Sequence, residues 1–226
     1  MSTPSCEERI RDLVADLRPV RRIPPLRVAV AWAVLPWLVA VATGWILGLW
    51  RPRALSDPFW SAPFALAILG GMLVVGLGST LAALASSVPD RARAMRRGLA
   101  FAALGAGLAL IGALLQLSGV PPASDPAWWR GCLACLAHAV GLGFATGLVA
   151  CRFIGTAAMW RPGASAGMAI AGAVALGAGA VHASCTMGDA FHQLLAHALA
   201  PAIAAALLAV PLGLAMRSLA ERRLSD

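Results

Sequence analysis

Six long apolar segments constrain this chain more than any other feature of its sequence. Each is about 20 residues long, which is the length that an α-helix needs to cross the hydrocarbon core of a bilayer. Prolines, arginines, aspartates or tryptophans fill every break between them. The segments run from Val28 to Leu49, Phe59 to Ala85, Gly98 to Leu117, Gly131 to Ala150, Ala164 to Val181 and Leu194 to Met216. They predict an all-α fold, a polytopic bundle of six transmembrane helices whose main partner is the lipid bilayer.

The positions of the arginines predict how the bundle is oriented. The chain contains no lysine, and all but three of its 18 basic residues lie at the two termini or in the breaks that share their side. The exceptions are Arg51, Arg53 and Arg130. Because positive charge concentrates in cytoplasmic loops, both termini are expected in the cytoplasm. The net charge of +8 is then explained by topology, and a nucleic-acid partner is not expected.

The same boundaries divide the chain into three parts. Residues 1–27 are predicted to be a cytoplasmic arm, residues 28–216 the transmembrane domain, and residues 217–226 a cytoplasmic tail. The six apolar segments contain many glycines, which let helices approach closely in lipid and favour a compact bundle. Prolines inside the first and last segments, Pro36, Pro201 and Pro211, are expected to kink them.

The arm contains the pattern of a short amphipathic helix. Ser5 and Glu8 have capping-box spacing, and Pro19 ends the helix. Apolar residues with the i, i+3, i+4, i+7 spacing of one helix face follow the cap, namely Ile10, Leu13, Val14 and Leu17. A helix this short is only marginally stable alone in water. Its apolar face is therefore expected to pack on the membrane surface, on the rest of the protein, or in a groove on a partner protein.

The composition of the six segments argues against transport and ordinary enzymology. No Asp, Glu or Arg lies in their interiors, and only His138 and His197 enter. Pumps and ion-coupled transporters usually need charged groups within the membrane. The sequence also lacks G-x-S-x-G, a phosphate-binding P-loop and H-E-x-x-H. We therefore expect a protein that is not an enzyme, with no catalytic residues and no obligate small-molecule substrate.

Cysteines and histidines gather at the predicted outer end of the bundle. Cys132 and Cys135 begin the fourth segment, and three residues apart they share a helix face. The connection between the fifth and sixth segments contains His182, Cys185 and His192. Thiolates and imidazoles bind soft and borderline metals, and in an oxidising periplasm two thiols instead form a disulfide. The pattern favours either a metal or redox sensor, or small buried residues with histidines that hydrogen-bond between helices.

Four stretches of the sequence carry a family resemblance. The most specific is the L-R-P-V-R-R run within residues 10–27. The others are SSVPDRAR from Ser86 to Arg93, W-x-x-C-L from Trp129 to Leu133, and H-x-x-C from His182 to Cys185. Together they resemble NrsF-like membrane proteins, which are six-span anti-sigma factors of proteobacteria. The resemblance covers essentially the whole chain. Cys132, which Leu133 follows, fits the family cysteine, and Cys135 is an additional thiol.

The resemblance implies an anti-sigma factor that holds an extracytoplasmic-function sigma factor at the inner membrane. It also implies that the outer cysteines receive a signal such as heavy-metal or oxidant stress. The residues expected to bind the sigma factor are Ile10, Leu13, Val14, Leu17, Arg18, Pro19, Val20, Arg21 and Arg22. The expected sensor residues are Cys132, Cys135 and Cys185. A regulatory metal ion is the one cofactor left open, with Cys132, Cys185, His182 and His192 as its candidate ligands.

Two other functions remain open. A membrane thiol-disulfide oxidoreductase would use Cys132, Cys135 and Cys185, and it would need a quinone or a partner thiol protein. A small metal or solute transporter is the second, and the absence of charge within the segments weighs against it.

Overall fold

The chain folds into a bundle of long helices, and the described part of the chain contains no β-strand. The structure is a computed structural model that describes Glu7 and residues 24–49, 53–54, 57–119, 128–155, 162–187 and 190–225. The amphipathic helix predicted in the arm, with the residues expected to bind a sigma factor, lies outside these residues. Cys6 lies outside them as well.

Six of the helices are long and apolar enough to cross a membrane. We name them α1 (Leu26–Ile46), α2 (Pro63–Ser86), α3 (Ala92–Gly119), α4 (Trp128–Ile154), α5 (Pro162–His182) and α6 (Ala200–Ser225). A π-helical segment, Gln193–Leu199, precedes α6 and belongs to the sixth span. Short 3₁₀ turns, Pro58–Ser61 and Pro89–Arg91, precede α2 and α3. The predicted all-α bundle of six helices is confirmed.

Two helices begin at residues other than those that hydropathy predicts, because local interactions determine where each helix starts. The second apolar run begins at Phe59, yet α2 begins at Pro63. The Asp57 side chain accepts a hydrogen bond from the Phe59 amide at 2.8 Å and so caps a separate 3₁₀ turn. Pro63 then opens α2, because a first-turn position needs no amide donor. Helix α3 begins before the apolar run, since its first turns contain arginines that do not interrupt a helix.

Helix α5 lies at the centre of the bundle and packs against α2, α4 and α6. Most of its apolar stretch is buried, whereas α1 is largely exposed and packs mainly on α4. Two apolar clusters fill the interior, one around Ile68 and Met72 and another around Leu84 and Ile154. The exposed leucines, valines and phenylalanines of the outer helices form the surface expected to face lipid.

Glycines set the spacing between helices, as the sequence predicts. A Cβ added at Gly71 would lie 2.6 Å from the Gly105 carbonyl oxygen, and one at Gly78 would lie 2.7 Å from that of Gly98. These contacts hold α2 and α3 close enough for backbone-to-backbone packing. Gly177 meets the backbone of Ala139 in the same way, between α5 and α4. The compact bundle therefore depends on residues without side chains.

The sixth span is irregular where it enters the bundle. Pro201 is the second residue of α6, and α6 directly follows the π-helical segment. Proline has no amide hydrogen to donate to the carbonyl four residues earlier, and its ring crowds that carbonyl. That residue is His197. The wider helical turn before Pro201 relieves this conflict, and π-helical turns of this kind are frequent at functional sites. Pro36 and Pro211 lie within α1 and α6.

Candidate metal centre

The cysteine-rich end of the bundle is the end at which α1, α3 and α5 finish and α2, α4 and the sixth span begin. The opposite end, where α1 starts, is called the arm end. At the cysteine-rich end, two thiols and two imidazoles converge, namely Cys135, Cys185, His192 and His197. All four ligand atoms lie within 4.8 Å of one another. We call these four residues the thiol–imidazole cluster.

Three different parts of the fold contribute to the cluster. Cys135 lies in the second turn of α4, and Cys185 lies just after α5. His192 ends a short helical turn, Ala190–His192, and His197 lies in the π-helical segment. The cluster therefore joins α4, α5 and the sixth span, although its residues are up to 62 positions apart in the chain.

The distances in the cluster fit a tetrahedral metal ion. The sulfurs of Cys135 and Cys185 are 3.8 Å apart, and the Cys185 sulfur is 3.3 Å from His192 Nε2. With metal–sulfur bonds of about 2.3 Å, tetrahedral geometry separates two ligand sulfurs by about 3.8 Å. The two sulfurs are therefore spaced as such an ion requires, and all four ligand atoms lie within 4.8 Å of one another.

His197 provides the second test of fit. Its side chain is 0% exposed, and neither of its ring nitrogens has a hydrogen-bond partner among the described residues. A buried imidazole without a partner is costly. Coordination of a metal ion by one nitrogen would satisfy it. Two cysteines and two histidines are a donor set typical of zinc and of the softer ions related to it.

The surroundings of Cys185 favour its thiolate form. The Cys135 thiol, which hydrogen-bonds to the Cys185 sulfur, lowers the pKa of Cys185 well below its usual range, and His192 acts in the same direction. Together they outweigh the burial of Cys185, which alone would raise its pKa. Since metal ions bind thiolates and not thiols, this environment reduces competition from protons.

The cluster differs from the predicted ligand set at two positions. Cys185 and His192 belong to both sets, whereas the cluster contains Cys135 and His197 and the predicted set contains Cys132 and His182. The Cys132 sulfur instead lies 3.4 Å from Nδ1 of His192, on the far side of that ring from Cys185. Cys132 thereby orients the His192 ring, because the second ring nitrogen of a metal-bound histidine usually has such a hydrogen-bond partner.

His182 and His138 have other surroundings. His182 Nε2 lies 3.1 Å from the carbonyl oxygen of Ala65, and its ring packs against Phe59 and His197 with centroid distances of 5.1 Å. It supports the His197 ring. His138 is exposed, and its Nδ1 lies 2.7 Å from the carbonyl oxygen of Ala134 in the same helix. Cys151 lies near the arm end of α4, far along that helix from the cluster.

Arg53, whose charge in the sequence indicates only an exception to the topology, contacts the turn that contains Cys185. Its guanidinium donates a hydrogen bond to the Cys185 carbonyl oxygen and lies 3.3 Å from the Asp57 carboxylate. Its backbone amide donates to the Ala183 carbonyl oxygen at 3.1 Å. Arg53 thus anchors the turn that presents Cys185. Two features of the sequence could have indicated this role: Arg53 lies on the side where basic residues are rare, and Asp57 follows it with R-x-x-x-D spacing.

The fold and this site define a polytopic helical membrane protein with a buried thiol–imidazole cluster at one end. No family model, curated protein or solved structure matches the chain.

Proposed function

We propose that this chain is an inner-membrane anti-sigma factor whose sigma-binding arm is controlled by metal binding at the thiol–imidazole cluster. The cluster is the observation that carries the proposal, because it offers four converging ligands. No Asp, Glu or Arg lies in the interiors of the six apolar segments, so a charged transport pathway is not indicated. In this proposal the cysteine-rich end faces the periplasm and the arm end faces the cytoplasm. The sensor residues are Cys135 and Cys185, with Cys132 as a supporting thiol.

The contacts of the bundle supply a route between the two ends. A metal ion held by Cys135, Cys185, His192 and His197 would fix α4, α5 and the sixth span relative to one another. Helix α4 packs on α1, which continues directly from the arm. At the arm end, Arg91 donates to the carbonyl oxygen of Pro24 at 3.0 Å. The base of the arm is thereby attached to the connection between α2 and α3.

The free energy of metal binding is sufficient to drive such a switch. Moving a two-state equilibrium from 1:99 to 99:1 needs a differential binding energy of about 5.5 kcal/mol. Structural zinc sites bind with apparent free energies of about 10–16 kcal/mol at neutral pH. A cluster that binds metal well in only one arrangement of α4, α5 and the sixth span has enough energy to shift the arm.

The first experiment separates metal binding from sigma-factor capture. The purified full chain in nanodiscs is titrated with Co²⁺, whose thiolate charge-transfer and tetrahedral d–d absorption report directly on the ligands. We expect one ion per chain, with loss of these bands in Cys185→Ser and His197→Ala. Cys151→Ser and His138→Ala are matched controls that remove a thiol and an imidazole outside the cluster. Equal spectra in His197→Ala and His138→Ala would contradict the site.

The second experiment tests the arm. The nanodisc-embedded chain is incubated with each extracytoplasmic-function sigma factor of the source organism, with and without Zn²⁺ or Cd²⁺. We expect one sigma factor to bind, and binding to change with metal in the wild type but not in Cys185→Ser. Leu13→Asp with Leu17→Asp should abolish capture, whereas Asp12→Asn with Asp16→Asn, on the predicted polar face, should retain it. Capture that survives the leucine substitutions would refute the arm as the binding element.

A further inference from the structure

A large apolar cavity lies against the thiol–imidazole cluster. Its volume is about 1150 Å³, and it lies between α1 and α4 at the cysteine-rich end. Its walls are mainly apolar, including Pro36, Ala40 and Leu142, and its polar lining includes Thr43, His138, Ser184 and Thr186. Since α1 and α4 form part of the exposed apolar surface, a ligand would reach this cavity from the lipid phase.

The cavity wall also contains both thiols of the cluster. Cys135 and Cys185 line it, with their sulfurs 3.8 Å apart. A disulfide bond is about 2.05 Å long, so a small side-chain movement brings these sulfurs into bonding range. The cavity thus combines apolar walls with a dithiol.

We propose that this cavity binds a lipid-soluble quinone, which oxidises Cys135 and Cys185 to a disulfide. The Cys135 S–H bond breaks, the Cys185 thiolate loses its negative charge and one S–S bond forms, so the pair gives up two electrons and one proton. The two carbonyl oxygens of the quinone take up the electrons, that proton and a second proton from water, and the quinone becomes a hydroquinone. No further oxidant is needed.

The lining favours a quinone over an acyl chain alone. An acyl chain would fill the apolar part but would leave the polar end without a matching group. A quinone has both an isoprenoid tail and a polar, electron-accepting head. His138 also lines the cavity. Its Nδ1–H donates to Ala134, which leaves Nε2 to accept a hydrogen bond from a hydroquinone hydroxyl.

Quinone oxidation and metal binding compete for the same two sulfurs. A disulfide between Cys135 and Cys185 removes both thiolates from the donor set, and a bound metal ion protects both from oxidation. The oxidation itself does not depend on metal sensing or on a sigma factor. It adds a redox input, the state of the membrane quinone pool, to the same cluster.

The test uses the metal-free full chain in nanodiscs, kept anaerobic, with a decyl-chain benzoquinone as the oxidant. We expect quinone absorbance to fall as hydroquinone forms, with two thiols lost per quinone reduced. Cys135→Ser and Cys185→Ser should abolish the reaction, and Cys151→Ser should not alter it. A prior addition of Zn²⁺ should prevent it. Absence of hydroquinone formation in the wild type would overturn the proposal and leave the metal titration and the sigma-factor capture unaffected.

A cavity-filling substitution tests where the quinone binds. A Cβ added at Gly141, which lines the cavity, meets no atom within 4 Å, so Gly141→Phe should occupy the cavity without backbone conflict. We expect it to slow oxidation by the quinone by about tenfold or more, because the phenyl ring occupies the space that the quinone needs. Oxidation by the small water-soluble reagent diamide should be unchanged. Gly107→Phe in α3 is the matched control, since a Cβ there also meets no atom within 4 Å.

A second variant, on the opposite wall of the cavity, controls for the case in which Gly141→Phe misfolds. Ala40→Phe fills the cavity from α1, and it should reproduce the selective loss of quinone oxidation. If both variants react with the quinone at the wild-type rate while diamide oxidation is intact, the cavity is not the quinone site. If both lose the diamide reaction as well, the thiols have become inaccessible and the assignment of the cavity also fails.

Discussion

The guanidinium of Arg53 donates a hydrogen bond to the carbonyl oxygen of Cys185, 132 residues later in the chain. An arginine in the connection between α1 and α2 thus fixes the turn after α5. We predict that Arg53→Ala weakens metal binding by about tenfold, because residues that orient ligands typically contribute 10–100-fold to metal affinity. Competition between the nanodisc-embedded chain and a chromophoric chelator measures this.

Arg130→Ala is the matched control for that substitution. Arg130 lies at the same end of the bundle, but its guanidinium lies over the Trp129 ring, 5.5 Å from the centroid. It should change metal affinity little. An equal loss in both variants would mean that the positive charge at this end matters and that the contact with Cys185 does not.

Adjacent glycines in α2 provide a test of helix packing. A Cβ at Gly71 would lie 2.6 Å from both the Gly105 carbonyl oxygen and the Ala109 amide nitrogen, whereas a Cβ at Gly70 meets no atom within 4 Å. We predict that Gly71→Val destabilises the bundle by about 1–3 kcal/mol through overpacking. Gly70→Val should be much milder. The thermal unfolding midpoint in detergent compares them, and equal losses would point to helix propensity as the cause.

Hydropathy was sufficient to predict the six helices, because crossing a bilayer requires long apolar runs whatever the packing. The sequence also placed the cysteines and histidines at one end of the bundle, but it could not show which four of them converge. Cys132 and Cys135 project about 60° apart around α4. Which one faces Cys185 depends on the rotation of α4, which the contact between Gly177 and Ala139 fixes. No local pattern encodes that contact.

The histidines illustrate the same limit. A regular helix would give His197 a different direction from the one that it has in the π-helical segment, and the sequence showed Pro201 only as a source of a kink. Arg53 was missed because its contact with Cys185 joins two loops that are distant in sequence. Its charge suggested an exception to the topology and not a structural role.

The lowered pKa of Cys185 predicts a pH dependence of stability in the metal-free protein. Because the folded pKa is below the unfolded value of about 8.5, the thiolate stabilises the fold most above that pH. This contribution declines as the pH falls toward the folded pKa and disappears below it. The unfolding midpoint of the wild type should therefore exceed that of Cys185→Ser by more at high pH than at low pH.

Ultraviolet absorbance of the thiolate gives an independent measurement. The difference spectrum between the wild type and Cys185→Ser should retain thiolate absorbance at pH values below the usual pKa of a thiol. The difference between the wild type and Cys151→Ser serves as the comparison for a thiol outside the cluster. If the absorbance in the Cys185 difference spectrum is instead lost near the ordinary pKa of a thiol, Cys135 and His192 do not lower the pKa of Cys185.

Pro201 is predicted to position His197 for metal binding. Replacing it with alanine restores an amide hydrogen that can donate to the His197 carbonyl oxygen, and it removes the ring that crowds this carbonyl. The π-helical turn should then tighten to a regular helix and rotate His197 away from Cys135 and Cys185. We expect Pro201→Ala to keep the fold and to weaken metal affinity by about tenfold, in line with the loss of a positioning residue. Pro211→Ala, which changes a proline farther along α6, should leave affinity unchanged, and a Co²⁺ spectrum that shifts in Pro201→Ala alone would link the irregular helix to the site.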